Sequence, residues 1–334
     1  TTTGNPSQSF DNSWTAGYAG APTPTVESYY GASVSLDGNY LAVGCQYCNT
    51  GDESREGVVF LYSFSNSSFS SITLEAVLGE DATGGKNIDV SDLSNADQYG
   101  YSVSLDGSNL AVGARYYDTP GGGGTNIGKV FLYTNVFATG GGELAATICS
   151  GCDTASDATT RSINNPYLEP NDYFGESVSL DGTRLAVGAK QDDGPANGGT
   201  TDSGAVYLYT NVFATGGGEL AGRVGDNYTG TGYTGSTNID TEVDLLINER
   251  FGKDISLVDN MLAVVAWKGK GNSRSDDDGD VYLFNFNGTD DDGNYDFSDG
   301  GTLQARIGKG WSGNSSRDID FIADKQFGLE EVSI

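Results

Sequence analysis

The chain has 334 residues, with 46 Asp and Glu against 17 Lys and Arg, and its formal net charge of −29 repels phosphate backbones and anionic lipid heads, which sets aside nucleic acid and membrane surfaces as partners; no apolar run approaches the ~20 residues of a membrane helix, so no membrane insertion is expected. It contains no His, which removes the commonest general base, the usual zinc ligand and the Ser-His-Asp triad. Fifty Gly against seven Pro, with 19 Tyr and 14 Phe, favour an all-β chain of tight turns and half-buried strands over collagen or disorder.

Residues 1–29 hold no strand-like repeat element and read as an N-terminal segment; Thr1-Thr2-Thr3-Gly4 is neither basic nor apolar, so no leader is read there. A repeat begins at Tyr30 with YGASVSLDGNYLAVG and recurs from Tyr99, Phe174 and Phe251; Phe327 opens a fifth copy, FGLEEVSI. Its glycines at 31, 100, 175, 252 and 328 lie 69, 75, 77 and 76 residues apart. A third segment follows in each full unit: GVVFLYSF from Gly57, GKVFLYTN from Gly128, GAVYLYTN from Gly204 and GDVYLFNF from Gly279. A fourth starts at Ile72, Gly142, Gly218 and Gly301. Each segment is short and β-rich. Asp37-Gly38, Asp106-Gly107 and Asp181-Gly182 read as the two turn residues of tight hairpins, both at positive φ.

Four antiparallel strands per unit, repeated, describe the blades of a β-propeller. The units span about 30–98, 99–173, 174–250 and 251–326, with a partial blade at 327–334. In LAVGA, Leu185, Val187 and Ala189 share one face, and Ala186 and Gly188 share the other, where small residues permit close approach at a crowded hub.

The order FG, then LAVGA, then G-VYLY resembles the FG-GAP repeat of integrin α-like propellers over residues 30–334. The resemblance implies a propeller fold and a role in adhesion or binding. In that family a DxDxDG calcium loop separates the first two strands; here only the short Asp-Gly turn stands there, so that site is not carried over. The Pro that follows Gly-Ala in the family is also missing, with Cys45, Arg115, Lys190 and Trp267 near its place. Four complete units and one further strand leave an edge to cover. A cut from a longer protein or a neighbouring molecule would cover it.

Cys45/Cys48 and Cys149/Cys152 form two CxxC pairs, read as local disulfides in an oxidising compartment, with zinc as the alternative. Sequons at Asn66, Asn227, Asn287 and Asn314 fall in predicted loops and suit glycan acceptors on a secreted chain. Asp290, Asp292, Asp296 and Asp299 fall on ligand places of an EF-hand-like count that begins at Gly288, so calcium is possible there; the acidic run 276–280 is a second candidate, and a solvated loop tip is the plain reading of both. No other cofactor and no catalytic residue is nominated.

The leading expectation is a non-enzymatic extracellular structural or scaffold protein, one subunit of a fibre or surface layer, joined head to tail with its own copies or with further blades. The second is an adhesin whose loop face takes a protein or glycan through aromatics such as Tyr116, Tyr117, Tyr228, Tyr233 and Trp267. The third is a carboxylate glycoside hydrolase, which needs two acids about 5–10 Å apart across a cleft.

Overall fold

The computed structural model describes residues 28–50, 55–69, 71–118, 125–152, 161–194, 201–214, 218–226, 228, 237–240, 245–270, 279–289, 293, 295–298, 300–308 and 319–320. It is all-β, with four successive sheets, and among the described residues no helix is long and apolar enough to cross a membrane. The first blade holds β1 (Tyr30–Asp37), β2 (Tyr40–Cys45), β3 (Val58–Phe64), β4 (Ile72–Gly79) and β5 (Ile88–Asp89). The second holds β6 (Tyr99–Asp106), β7 (Asn109–Ala114), β8 (Lys129–Thr134), β9 (Glu143–Cys149) and β10 (Arg161–Asn164). The third holds β11 (Phe174–Asp181), β12 (Arg184–Ala189), β13 (Ala205–Thr210), β14 (Glu219–Gly225) and β15 (Thr237–Asp240). The fourth holds β16 (Phe251–Val258), β17 (Met261–Ala266), β18 (Asp280–Asn285), β19 (Thr302–Gly308) and β20 (Ile319–Asp320).

The first four strands of each blade pair antiparallel in chain order, as the repeat predicts. A short fifth strand adds in parallel to the fourth, so the blades have five strands rather than four. The partial blade at 327–334 lies outside the described residues.

The hairpin turn is also shifted by one residue from the sequence reading. Asp37 pairs with Tyr40, so the turn is Gly38-Asn39, and only its Gly, at φ 54°, is left-handed. Asp is the last strand residue instead, because its carboxylate is needed elsewhere. Asp37 Oδ2 accepts the Gly107 N–H of the next blade at 2.6 Å, while Ser33 and Ser35 Oγ accept the N–H groups of Val103 and Leu105, each at 2.9 Å. The last two positions repeat this towards blades three and four, Ser104 with Leu180, Asp106 with Gly182, Ser179 with Leu257 and Asp181 with Asp259, while Ser102 and Ser177, at the place of Ser33, donate to the Gly175 and Gly252 carbonyls at 2.8 and 2.9 Å. The SVSLDG repeat is thus a comb of side-chain acceptors that satisfies the backbone donors of the next inner strand. Each such bond contributes about 1 kcal/mol net, and leaving its donor buried and unmet would cost more.

Glycines set the spacing between blades. A Cβ on Gly44, Gly113 or Gly188 would sit on the carbonyl oxygen of Gly100, Gly175 or Gly252 in the following blade. The latter three are left-handed, at φ 78°, 85° and 83°, and coincide with a register shift at the start of each inner strand. That kink carries the aromatic before each of them back onto the preceding blade: Tyr99 N–H bonds Glu56 O, and Phe174 N–H bonds Ile127 O. The rings of Tyr99, Phe174 and Phe251 are fully buried, edge-on to Phe131, Tyr207 and Tyr282 in the third strands. The hydrophobic core is therefore a series of clusters that straddle neighbouring blades. Leu185, Val187 and Ala189 pack with the second blade, and Ala186 with the fourth, as the alternation in LAVGA predicts.

Candidate functional site at the hub

The inner strands β1, β6, β11 and β16 line a central cavity of about 630 Å³. Two sets of repeat positions meet at one end of it. The residue after each FG-type glycine is Ala32, Tyr101, Glu176 or Lys253. The residue just past each second strand is Gln46, Arg115, Lys190 or Trp267. Antiparallel pairing of first and second strands brings these two sets to the same end.

There the side chain of Glu176 is wholly buried and meets three cations. Arg115 Nη1 lies 3.0 Å from Oε2, Lys190 Nζ 2.7 Å from Oε2, and Lys253 Nζ 3.1 Å from Oε1. The Tyr101 hydroxyl donates to Oε1 at 3.1 Å, and Lys253 donates to that hydroxyl at 3.5 Å. Arg115 also lies over the Tyr101 ring, 3.6 Å from its centroid, and donates Nε to Gln98 Oε1 at 2.8 Å. Burial alone would raise the Glu176 pKa, but Arg115, Lys253 and Lys190 outweigh it and hold the carboxyl at about 2. Burial pushes Lys190 down to about 8 although Glu176 pulls it upward, and Arg115 and Lys253 add to the lowering. The cluster joins blade two (Tyr101, Arg115), blade three (Glu176, Lys190) and blade four (Lys253). It was not nominated from the sequence. Its only signal is that these columns break an otherwise apolar and small repeat with charge.

A second set of buried acids precedes each inner strand. Asp97, Asp172 and Glu249 occupy one repeat position, and burial raises them to about 7, 9 and 7. Asp97 and Asp172 each accept the N–H three residues back, from Ser94 at 2.7 Å and Glu169 at 2.6 Å. They brace the turn into the inner strand and sit in the body of the protein rather than across a cleft.

Cys45 and Cys48 stand at disulfide distance, with Cα atoms 5.4 Å apart, as do Cys149 and Cys152 at 5.5 Å. Cys45–Cys48 closes a turn that every blade makes: the N–H groups of Cys48, Tyr117, Asp192 and Gly269 bond the carbonyls of Cys45, Ala114, Ala189 and Ala266. The other blades fill this turn differently. Tyr117 is buried in the core, and Asp192 accepts hydroxyls from Tyr207 at 2.5 Å and Tyr228 at 2.7 Å. Tyr117 and Tyr228 thus face inward, 4% and 1% exposed, and are not part of an exposed aromatic cluster; Tyr116 and Trp267 are half-buried, and Tyr233 lies outside the described residues.

Asn66 and Asn287 are exposed in the connections between third and fourth strands, at the end of the molecule opposite the cation cluster. Asn227 and Asn314 lie outside the described residues. So do Asp290, Asp292 and Asp299, and the acidic residues 276–278. Asp296 accepts the Ser298 N–H and hydroxyl at 2.9 and 2.6 Å. Among the described residues no group of three or more Cys, Asp or Glu is arranged to hold a metal.

Blades packed face to face around a hub cavity, each opened by an FG-type glycine, define a propeller-type repeat protein. The chain carries FG-GAP repeats: the family model described as FG-GAP repeat matches residues 87–133 and 168–209. No curated protein matches the chain. Among solved structures it is similar to Kluyveromyces lactis Hsv2, at 11% identity and a TM-score of 0.36, over 83% of this chain and 61% of that one. It is also similar to the periplasmic gluconolactonase PpgL of Pseudomonas aeruginosa, at 14% identity and a TM-score of 0.40, over 79% of this chain and 55% of that one. The chain spans less than two thirds of either structure.

Proposed function

We propose that this protein is a non-enzymatic extracellular structural module whose copies join head to tail, blade against blade. One observation carries the reading. Val103 and Leu105, Val178 and Leu180, and Ile255 and Leu257 are 4–7% exposed, because the preceding blade covers them. Their counterparts on the first blade, Val34 and Leu36, are 48% and 54% exposed. Blade one therefore presents the socket that three internal joints fill. The occupant we assign is the fourth blade of a second copy, continuing the internal interface.

That blade carries Asp254 and Ser256 at the repeat positions of Ser33 and Ser35, and Asp254 Oδ1 accepts the Ile255 N–H at 3.0 Å. It has Val258 in place of Asp37, and Val265 in place of Gly44. The joint between copies would lack one acceptor and the glycine approach, so it is looser than the internal joints and reversible. Head-to-tail contacts that do not close produce filaments. The CxxC pairs support an oxidising, extracellular setting.

Sedimentation velocity over a concentration series tests this. The wild-type chain should associate as concentration rises, and Val34→Asp/Leu36→Asp should stay monomeric. A wild type that remains monomeric throughout overturns the reading, as does slow hydrogen exchange at Val34 and Leu36 in the monomer, which would mean that the chain covers its own socket.

A further inference from the structure

The cation cluster holds more positive charge than its carboxylate needs. Arg115, Lys190 and Lys253 all pair with Glu176, and none of them makes an ion pair with another carboxylate among the described residues. Three cations on Glu176 give the cluster an excess of two positive charges; Asp254, which lines the same cavity, offsets one of them, so the hub keeps a net positive charge in a chain whose net charge is −29. If Glu176 needed only a counter-charge, one bidentate Arg would serve. Each further buried cation carries a desolvation penalty of its own.

The cluster also opens onto space. Lys253, Tyr101 and Glu176 line the central cavity of about 630 Å³, together with Gln46. An ammonium has three donors. Glu176 and Tyr101 take two of those on Lys253, at 3.1 and 3.5 Å. Gln46 is 7% exposed, and its buried side-chain oxygen has no partner. A half-turn of that amide exchanges its oxygen for its N–H₂, so the unpartnered place can hold a donor instead of an acceptor. The wall thus combines uncompensated positive charge, a spare ammonium donor and an unengaged amide in a place partly shielded from water, where charge-assisted bonds are strongest.

We propose that this end of the central cavity binds a small oxyanion, a carboxylate or a sulfate, on Lys253 and Gln46, with Arg115 and Lys190 supplying field from behind. Serine hydroxyls along the inner strands leave the rest of the cavity polar, which suits a hydrated ligand that carries such a group.

The test is isothermal titration of the purified chain with sodium acetate and with sodium sulfate, at pH 7 and constant ionic strength held with chloride. Saturable binding of either salt is expected, and acetate or sulfate alone would identify the group. Lys253→Gln should weaken binding about tenfold or more, the scale of one hydrogen bond to a charged group. Gln46→Glu keeps the cluster intact and places a negative charge on the wall, so it should abolish binding even if Lys253→Gln folds poorly. No saturable binding of either anion by the wild type overturns the proposal, and so does unchanged binding in Gln46→Glu, because the cluster then serves only to clamp three blades.

Discussion

At the scale of single residues, Glu176 shows how charge is used in the interior. Its carboxyl would be costly there alone; with three cations around it, it becomes a clamp across blades two, three and four. Its folded pKa of about 2 lies below the ordinary 4.5, so its contribution to stability is fully present above pH 4.5 and is lost as pH falls towards 2. Glu176→Gln should therefore destabilise by about 3–5 kcal/mol at neutral pH, the range for breaking a buried ion pair. Urea midpoints of wild type and variant, measured from pH 7 down to pH 3, should converge below pH 4.5. A gap that stays constant with pH would show that Glu176 acts through shape rather than charge. The repeat frame was legible in the sequence, but this cluster was not. Its members lie at positions 101 to 253, and nothing in a linear reading says that the column after FG faces the column after LAVGA until the strands are paired.

At the scale of strands, glycine fixes how close blades can come. A Cβ on Gly188 would collide with the Gly252 carbonyl, which is backbone and cannot turn aside. Gly188→Ala should cost about 3 kcal/mol or more, as overpacking against fixed atoms does, and thermal melts would show it as a large fall in midpoint. The same change at Gly140, where nothing lies within 4 Å, serves as the control. Small residues on this face of LAVGA were expected from the sequence, because alternation assigns them to one side of the strand. The turn was read one residue early, since Asp-Gly is a good hairpin pair on local grounds and only the tertiary bond from Asp37 to Gly107 moves Asp into the strand. The fifth strands escaped notice for a related reason. Asn87-Ile88-Asp89, Ser162-Ile163-Asn164 and Asn238-Ile239-Asp240 do recur, but as three-residue islands in long polar connections whose lengths differ. Their pairing depends on the edge offered by the fourth strand rather than on their own periodicity.

At the scale of the whole molecule, the Ser and Asp acceptor combs described here all point the same way: the inner strand of each blade offers these oxygens to the backbone N–H groups of the next blade. A two-fold dimer through these edges would set comb against comb or socket against socket, so the two ends of the molecule are chemically unlike, as plug and receptacle. Any assembly built from them inherits a polarity, with a receptacle facing one way and a plug facing the other. A copy whose receptacle is spoiled, Val34→Asp/Leu36→Asp, can still attach by its plug but can accept nothing in turn. Mixed into wild-type protein at a small molar fraction, it should act as a chain terminator and shorten assemblies in proportion to its share, which sedimentation or electron microscopy would measure. Length that does not respond to the added terminator would mean that growth does not run through this joint.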